Sequence, residues 1–465
     1  MKNKKLIVFV LLAMVMVSCH TTGLISHVNQ TQQLIWNEKP GRTVATISFG
    51  IPAMHQTVID YKRYNKTEFN ILLGEPRLVT IAQKPEGWGY YQFPTISRLA
   101  NGTLHAEWSL HADDIKSYGL AAVGSAISTD GGKTWPIATP DSSLVTSFKL
   151  ANSDMIKTVD AKPVTSANIK MPSALDRTDF KYRKTNFTFY KLSDMPPGVN
   201  GIYINRLVQG QTKWQLEQAT INDPKGVRHS SKGLVPVIWW GDMHIMTDGS
   251  IVAGIYPAFY IKDNGQVDKQ MGVAFYRSTD NGHSWSIQGR IPFQGNTKID
   301  TMAKDRIGFT EPAYTVLADG TLLCIIRSAD GDGVTNGVGN GPMYASRSTD
   351  MGKTWTTPEA IAAAGVLPRL LNLKNGVTVL STGRPGVQLR FSKTGDNDSW
   401  TDACEMLPYE SKSMELQYAV TCGYTGLLAT GPNRFLLIYA DFRYKNPNNE
   451  ERKAIKIREV IIDPR

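Results

Sequence analysis

The chain has 465 residues and a formal charge of +10, from 51 Lys and Arg against 41 Asp and Glu. With 41% hydrophobic and 20% charged residues it has the balance of an ordinary globular protein, which argues against a disordered or multi-span membrane chain. Forty Gly and 24 Pro spread along it argue for frequent turns and against long helices, and no basic run carries interleaved aromatics, so no nucleic-acid partner is expected.

The first residues differ from the rest. A basic MKNKK, the apolar run 6–17 and then Ser18-Cys19 read as an export signal too short to span a bilayer. MVSC, ending at Cys19, resembles a bacterial lipobox. That implies removal of residues 1–18, a lipid anchor on Cys19, and an exported, membrane-anchored lipoprotein facing the periplasm or the outside. Loss of Lys2, Lys4 and Lys5 leaves a charge of +7 (10 − 3). Residues 19–40 are expected to be a tether and 41–465 a single domain. Cys324 in TLLCIIRS reads as a core strand residue, and a Cys404–Cys422 bridge stays open. No Cys/His spacing suggests a metal, and no cofactor is expected.

Taken in order, the elements read as short strands joined by tight turns. The segment 42–60 is expected to supply a strand that closes the fold. FPTISRLANGTL (93–104) leads to STDGGKTW (128–135). Residues 143–222 hold a further unit, interrupted by the polar insertion ALDRTDFKYRKTNFTFYKL. WGDMHIMTDGSI (240–251) leads to STDNGHSW (278–285), and EPAYTVLADGTL (311–322) to STDMGKTW (348–355). LPRLLNLKNGVT (367–378) leads to a worn copy, SKTGDNDSW (392–400), and YTGLLATGPNRF (424–435) opens the last unit.

Two repeats are interleaved here. S-T-D-x-G-x-[ST]-W is a hairpin turn in which Asp accepts backbone N–H groups, Gly takes a positive φ and Trp packs over the hairpin. The other places Pro or Gly seven residues before the Asn or Asp of a tight turn (Pro94/Asn101, Gly241/Asp248, Pro312/Asp319, Pro368/Asn375, Gly426/Asn433). One unit is a four-stranded meander. The repeat predicts an all-β fold, a six-bladed β-propeller of four-stranded antiparallel blades.

Such turns, known as Asp boxes, in a six-bladed propeller resemble the sialidase (neuraminidase) superfamily over roughly residues 85–445. In that family a Glu precedes an Arg by about 16 residues across one hairpin, as Glu311 precedes Arg327 here. Another Arg stands eight residues before the Ser of a later box, as Arg384 does before Ser392, and a Tyr opens the last inner strand, as Tyr424 does. The resemblance implies a glycoside hydrolase acting exo on an acidic, sialic-acid-like sugar. Tyr424 would be the nucleophile, Glu311 its base, Arg327 and Arg384 the grip on the substrate carboxylate, and Asp114 or Asp113 the acid. The chemistry is coherent: a neutral phenol is not repelled by a carboxylate on the anomeric carbon, but with a pKa near 10 it needs a base. His111 stands where a substrate-binding Arg is expected.

The pattern also breaks. The family's aromatic-Arg-Ile-Pro motif is YYQFP here, with Gln92 for the first Arg, and Ala440 beside Asp441 stands where a Glu would steady it. Joint loss implies a site reshaped for a different anion or sugar. Trp239 and Trp240 add a candidate sugar platform, one ring outward and the other packed inside; Trp88 and Tyr90 are candidates for the rim, and His244 reads as a core-strand residue. Two other readings stand beside the hydrolase: a lyase of uronic-acid glycans using His105, His111, His244 and Tyr424, and a surface glycan-binding propeller without catalysis. The expected partners are an acidic oligosaccharide and, through the anchor, a membrane.

Overall fold

The structure, a computed structural model, describes residues 32–35, 42–47, 57–63, 69–99, 101–117, 119, 122–140, 147–159, 161–179, 186–300, 303–329, 340–384, 386–407 and 420–465. The expected signal and Cys19 anchor lie outside these residues. The fold is all-β. Among the described residues the helical pieces are short 3-10 turns, such as Ile115–Ser117 and Ala303–Asp305.

Four-stranded antiparallel meanders follow one another along the chain. The first runs Tyr90–Arg98, Leu104–Leu110, Val123–Ser128, Ile137–Ala138. The next joins Phe148–Lys149, Met155–Thr158, Gly201–Leu207 and Gln215–Asn222. Then come Trp240–Ile245 to Ser284–Ile291, Gly308–Val316 to Glu359–Ala362, and Val366–Asn372 to Cys404–Leu407. The last has Thr425–Ala429, Arg434–Lys445 and Glu451–Pro464.

Its outer neighbour corrects one expectation. The strand that completes it is Phe69–Leu73, paired with residues 460–464, and Arg77–Ile81 pairs further along the same strand. Arg42–Ile47 pairs instead with Thr57–Arg63 in a separate two-stranded sheet. The physical reason is apolar content: Phe69, Ile71 and Leu73 enter the core beside Phe391, Leu437 and Val460.

The sheets pack face to face, and the core lies between them in separate layers. Leu436 and Ile438 meet Leu104, Ala106 and Trp108. Ala253 and Ala274 meet Ile202 and Ile204, Val252 and Phe275 meet Phe309 and Tyr314, and Leu323 and Ile325 meet Leu380. Cys324, Cys404 and Cys422 are free and buried. Cys404 and Cys422 belong to different layers, so the open pairing is settled against a bridge. Within the insertion, Asn186–Lys191 pairs with Gly226–Ser231, around Phe187, Phe189 and Phe259. First strands of neighbouring meanders lie side by side: 240–245 by 308–316, then 366–372, 425–429 and 90–98. Their leading ends therefore meet.

The repeated turns are hydrogen-bonded as their residue types require. Ser128 Oγ donates to Asp130 Oδ1 at 2.8 Å and accepts from Gly132 N at 2.8 Å. Asp130 also accepts from Lys133 N and Thr134 N, and Trp135 Nε1 donates to Gly132 O at 3.1 Å. The turn at 348–355 repeats this set, and the turn at 278–285 repeats its Ser278, Ser284 N and Trp285 bonds. Trp285 is fully buried and meets Trp239 edge-on at 5.5 Å, while Trp355 stacks on Phe275 at 4.1 Å. Each turn thus clamps its own hairpin and the layer beneath it.

Trp285→Ala is expected to cost about 3–5 kcal/mol in urea unfolding, the range for emptying a buried aromatic site. Burial alone would raise the Asp350 carboxyl, but the Thr354 hydroxyl and backbone donors hold it at about 2. A depressed carboxylate contributes stability above its unfolded pKa and loses it as pH falls through the folded one. Urea midpoints should therefore decline from about pH 4 downward, and Asp350→Asn should flatten that decline.

Candidate active site

Glu311 is the centre of the site. It sits where the strand Gly308–Val316 slips register between Thr310 and Ala313, with φ of 49°. The kink turns its carboxylate away from the ladder toward three donors. Arg327, on the paired strand opposite Thr310, donates Nη1 to Glu311 Oε1 at 2.7 Å. The Tyr424 hydroxyl donates to the same oxygen, and Leu367 N donates to Oε2 at 2.8 Å. Arg384 follows the strand Thr378–Gly383 and donates Nε to Cys422 O at 2.9 Å. Its guanidinium lies 5.3 Å from the Trp88 ring and 5.8 Å from the Tyr424 ring. The Phe93 ring stands 4.9 Å from that of Tyr424.

Backbone strain gathers at the same place. Tyr91, Phe93, Glu311, Leu367 and Arg384 all have φ between 35° and 54°. Among the described residues the other non-glycine positions with positive φ, Ser153, Lys232, Asn281, Met351 and Asn449, are turn or bend residues. Left-handed bulky residues cost on the order of 1–3 kcal/mol each and persist where surrounding structure holds them, commonly at functional sites.

The charges are coupled. Burial would raise the Glu311 carboxyl, but Arg327, the Tyr424 hydroxyl and Arg384 outweigh it and hold the group below the usual carboxylate range. Burial and the Glu311 charge push the Tyr424 phenol well above 10. Burial and Arg327 lower Arg384. At neutral pH the site is a carboxylate accepting a phenol proton, flanked by two guanidinium groups. Glu311, Arg327 and Arg384 keep only 5%, 6% and 5% of their surface open, beside half-buried Tyr424.

The other expected residues divide. Asp113 accepts from Trp88 Nε1 at 2.8 Å, on the aromatic wall that carries Arg384. Asp114 instead accepts from Lys116 N at 3.0 Å and caps a 3-10 turn. His111 is held locally, its Nδ1 2.9 Å from Ala112 O. Gln92 corrects an expectation: it is fully buried, with no surface open to a ligand. With its amide set to satisfy both ends, its oxygen accepts from Gly89 N at 3.2 Å and Lys453 Nζ at 2.8 Å. Asp441, next to Ala440 in sequence, accepts from Lys456 at 3.1 Å. Of the two tryptophans, Trp239 is the one packed inside, stacked on Tyr276 in the core, while half-buried Trp240 lies 5.7 Å from Tyr256. His105 is buried 2.8 Å from Ser125 Oγ, and His244 Nε2 lies 2.9 Å from Tyr314 O. Missed from sequence were Leu367 N, the Phe93 ring and Lys453. A positive φ at Phe93 has no sequence signal, and neither does Lys453 as the partner of a segment 361–366 residues away. Among the described residues no group of His, Cys, Asp and Glu is placed to hold a metal ion.

No family model matches the chain. A curated sialidase of Paraclostridium sordellii is 23% identical over 221 residues, 47% of this chain and 52% of that protein. The chain thus matches about half the length of that relative. Among solved structures, a Dyadobacter fermentans protein of unknown function superposes with a TM-score of 0.50 at 18% identity, over 84% of this chain and 99% of that one. The GH93 α-L-arabinofuranosidase of Fusarium graminearum, in complex with arabinobiose, superposes at 0.45 with 14% identity, over 83% and 98%. The chain is similar in sequence to a sialidase over about half its length, and its fold is all-β, built of successive antiparallel meanders.

Breaking the buried pair from one side leaves an uncompensated carboxylate. Arg327→Met is expected to lose about 3–5 kcal/mol in urea unfolding, and adding Glu311→Gln to it should restore part of that loss.

Proposed function

We propose that this protein is an exported, lipid-anchored glycoside hydrolase, built as a closed six-bladed propeller, that removes an acidic sugar from the end of a glycan. The observation that carries the reading is the Tyr424 hydroxyl bonded to the Glu311 carboxylate, itself paired with Arg327. In free enzyme Glu311 is a weak base, since Arg327 and Arg384 stabilise its charge. A substrate carboxylate drawing on those guanidinium groups would release Glu311 from them and raise its proton affinity as the phenol needs it.

Tyr424 Oη then bonds to the anomeric carbon while Glu311 takes its proton, and the bond to the leaving oxygen breaks with a proton from Asp113. Water reverses the sequence, with Asp113 as base, and the sugar leaves with retained configuration. Trp88 fixes Asp113 and flanks Arg384, so acid and anion grip share one wall. Because Gln92 is sealed off, a carboxylated sugar meets two guanidinium groups at this site. His105 and His244 are occupied by Ser125 and the Tyr314 carbonyl, which leaves the lyase reading without a free base from that pair.

A panel of acidic oligosaccharides with product analysis tests the proposal. Release of a terminal acidic sugar without a new ultraviolet-absorbing double bond is expected. Tyr424→Phe and Glu311→Gln should each lower kcat by roughly 10²- to 10⁴-fold. Full activity in both variants would refute the mechanism, and an unsaturated product would turn the assignment to a lyase.

A further inference from the structure

The segment from Gly87 to Phe93 carries several groups that surround the site, in a backbone its own residues do not favour. Gly89, Tyr91 and Phe93 have φ of 99°, 52° and 54°. A Cβ on Gly89 would lie 2.3 Å from His111 O and 2.4 Å from Asp113 N, so the segment is pressed against the loop that presents Asp113. From it Trp88 reaches Arg384 and Asp113, and Phe93 reaches Tyr424. Aromatic residues rarely adopt a left-handed backbone unaided, so something outside the segment holds it.

Lys453, on the strand Glu451–Pro464, meets that need. Its Nζ donates to Gly87 O at 2.6 Å, to Tyr90 O at 3.3 Å and to the Gln92 amide oxygen at 2.8 Å. It also lies 4.5 Å from the Phe442 ring, against which Trp88 packs edge-on at 6.2 Å. An ammonium has three N–H donors, and all three acceptors belong to the one strained segment.

We propose that Lys453 is a positioning residue: its ammonium fixes the 87–93 segment so that Trp88 lies against Arg384 and Phe93 against Tyr424. Its effect on turnover rests on the catalytic reading above; its hold on Trp88 does not.

Protonation gives the inference a handle. Burial pulls the Lys453 ammonium down to about 8, against the charges of Cys422 and Glu86, the titratable groups that act on it. The Cys422 thiol is itself pushed up by burial. Above about pH 8 the amine keeps two protons for three acceptors. The folded chain then gives up this proton before the unfolded chain, whose lysine titrates near 10.4, so this group adds to overall stability as pH rises through that interval. Loosening of the segment across pH 8 is therefore local and distinct from unfolding.

The test compares the full chain with Lys453→Met and Lys453→Arg, from about pH 6 to 10. Trp88 emission is taken as the difference from a matched Trp88→Phe protein, with thermal unfolding followed in parallel. Expected is a Trp88 transition near pH 8 in the parent, absent over that range in Lys453→Arg, whose guanidinium stays charged. Lys453→Met should show the high-pH signal already at pH 7, with kcat/KM on the substrate found above reduced roughly 10- to 100-fold. Parent-like Trp88 emission in Lys453→Met at pH 7, or a transition unmoved in Lys453→Arg, would overturn the proposal. Should Lys453→Met not fold, the Lys453→Arg transition decides alone. If Tyr424→Phe and Glu311→Gln stay fully active while Trp88 responds as described, the catalytic reading fails and the positioning role stands.

Discussion

One carboxylate organises the site. Glu311 receives Arg327, the Tyr424 hydroxyl and the Leu367 amide, and these three donors come from different meanders or from across a hairpin. A buried carboxylate with fewer partners would be protonated or would exclude itself from the core. The interaction therefore ties three sheets together at their leading ends and sets the protonation states found there. Carboxylate, phenol and two guanidinium groups are states each enforced by the others.

The scaffold makes this arrangement affordable by separating stability from the site. The hairpin turns satisfy their own polar groups, and each Trp seals one layer. Of the strained residues, Tyr91 and Phe93 also pack against the layer built on Leu436 and Ile438. Tyr91, Phe93, Glu311, Leu367 and Arg384 can then hold unfavourable φ values where the first strands converge. The placement of Gln92 fits the same logic. Gln92 turns inward, and Lys453 braces the segment from behind.

Much of this was legible in the sequence, for local reasons. The turn residues carry their own conformational demand, so the meanders could be read from Asp-x-Gly and Asn-Gly spacing. Glu311 and Arg327 face each other because one hairpin joins them. Arg384 and Tyr424 rested on family register, and the structure brings both beside Glu311. Long-range choices were not legible. Whether Phe69–Leu73 or the 42–60 segment would complete the last sheet depends on packing against Phe391 and Leu437. Asp113 differs from its neighbour Asp114 only through the Trp88 indole. Gln92 read as a ligand contact because no local signal shows that Lys453 draws it inward.

The central claim is that the phenol oxygen of Tyr424 becomes bonded to the sugar during turnover. Rapid acid quenching of enzyme turning over its substrate, followed by peptide mass spectrometry, tests it most directly. The peptide bearing Tyr424 should gain the mass of one sugar residue, and that mass should be absent from Glu311→Gln protein. Sugar found on another side chain, or steady turnover with the Tyr424 peptide never modified under conditions that trap the intermediate, would contradict it.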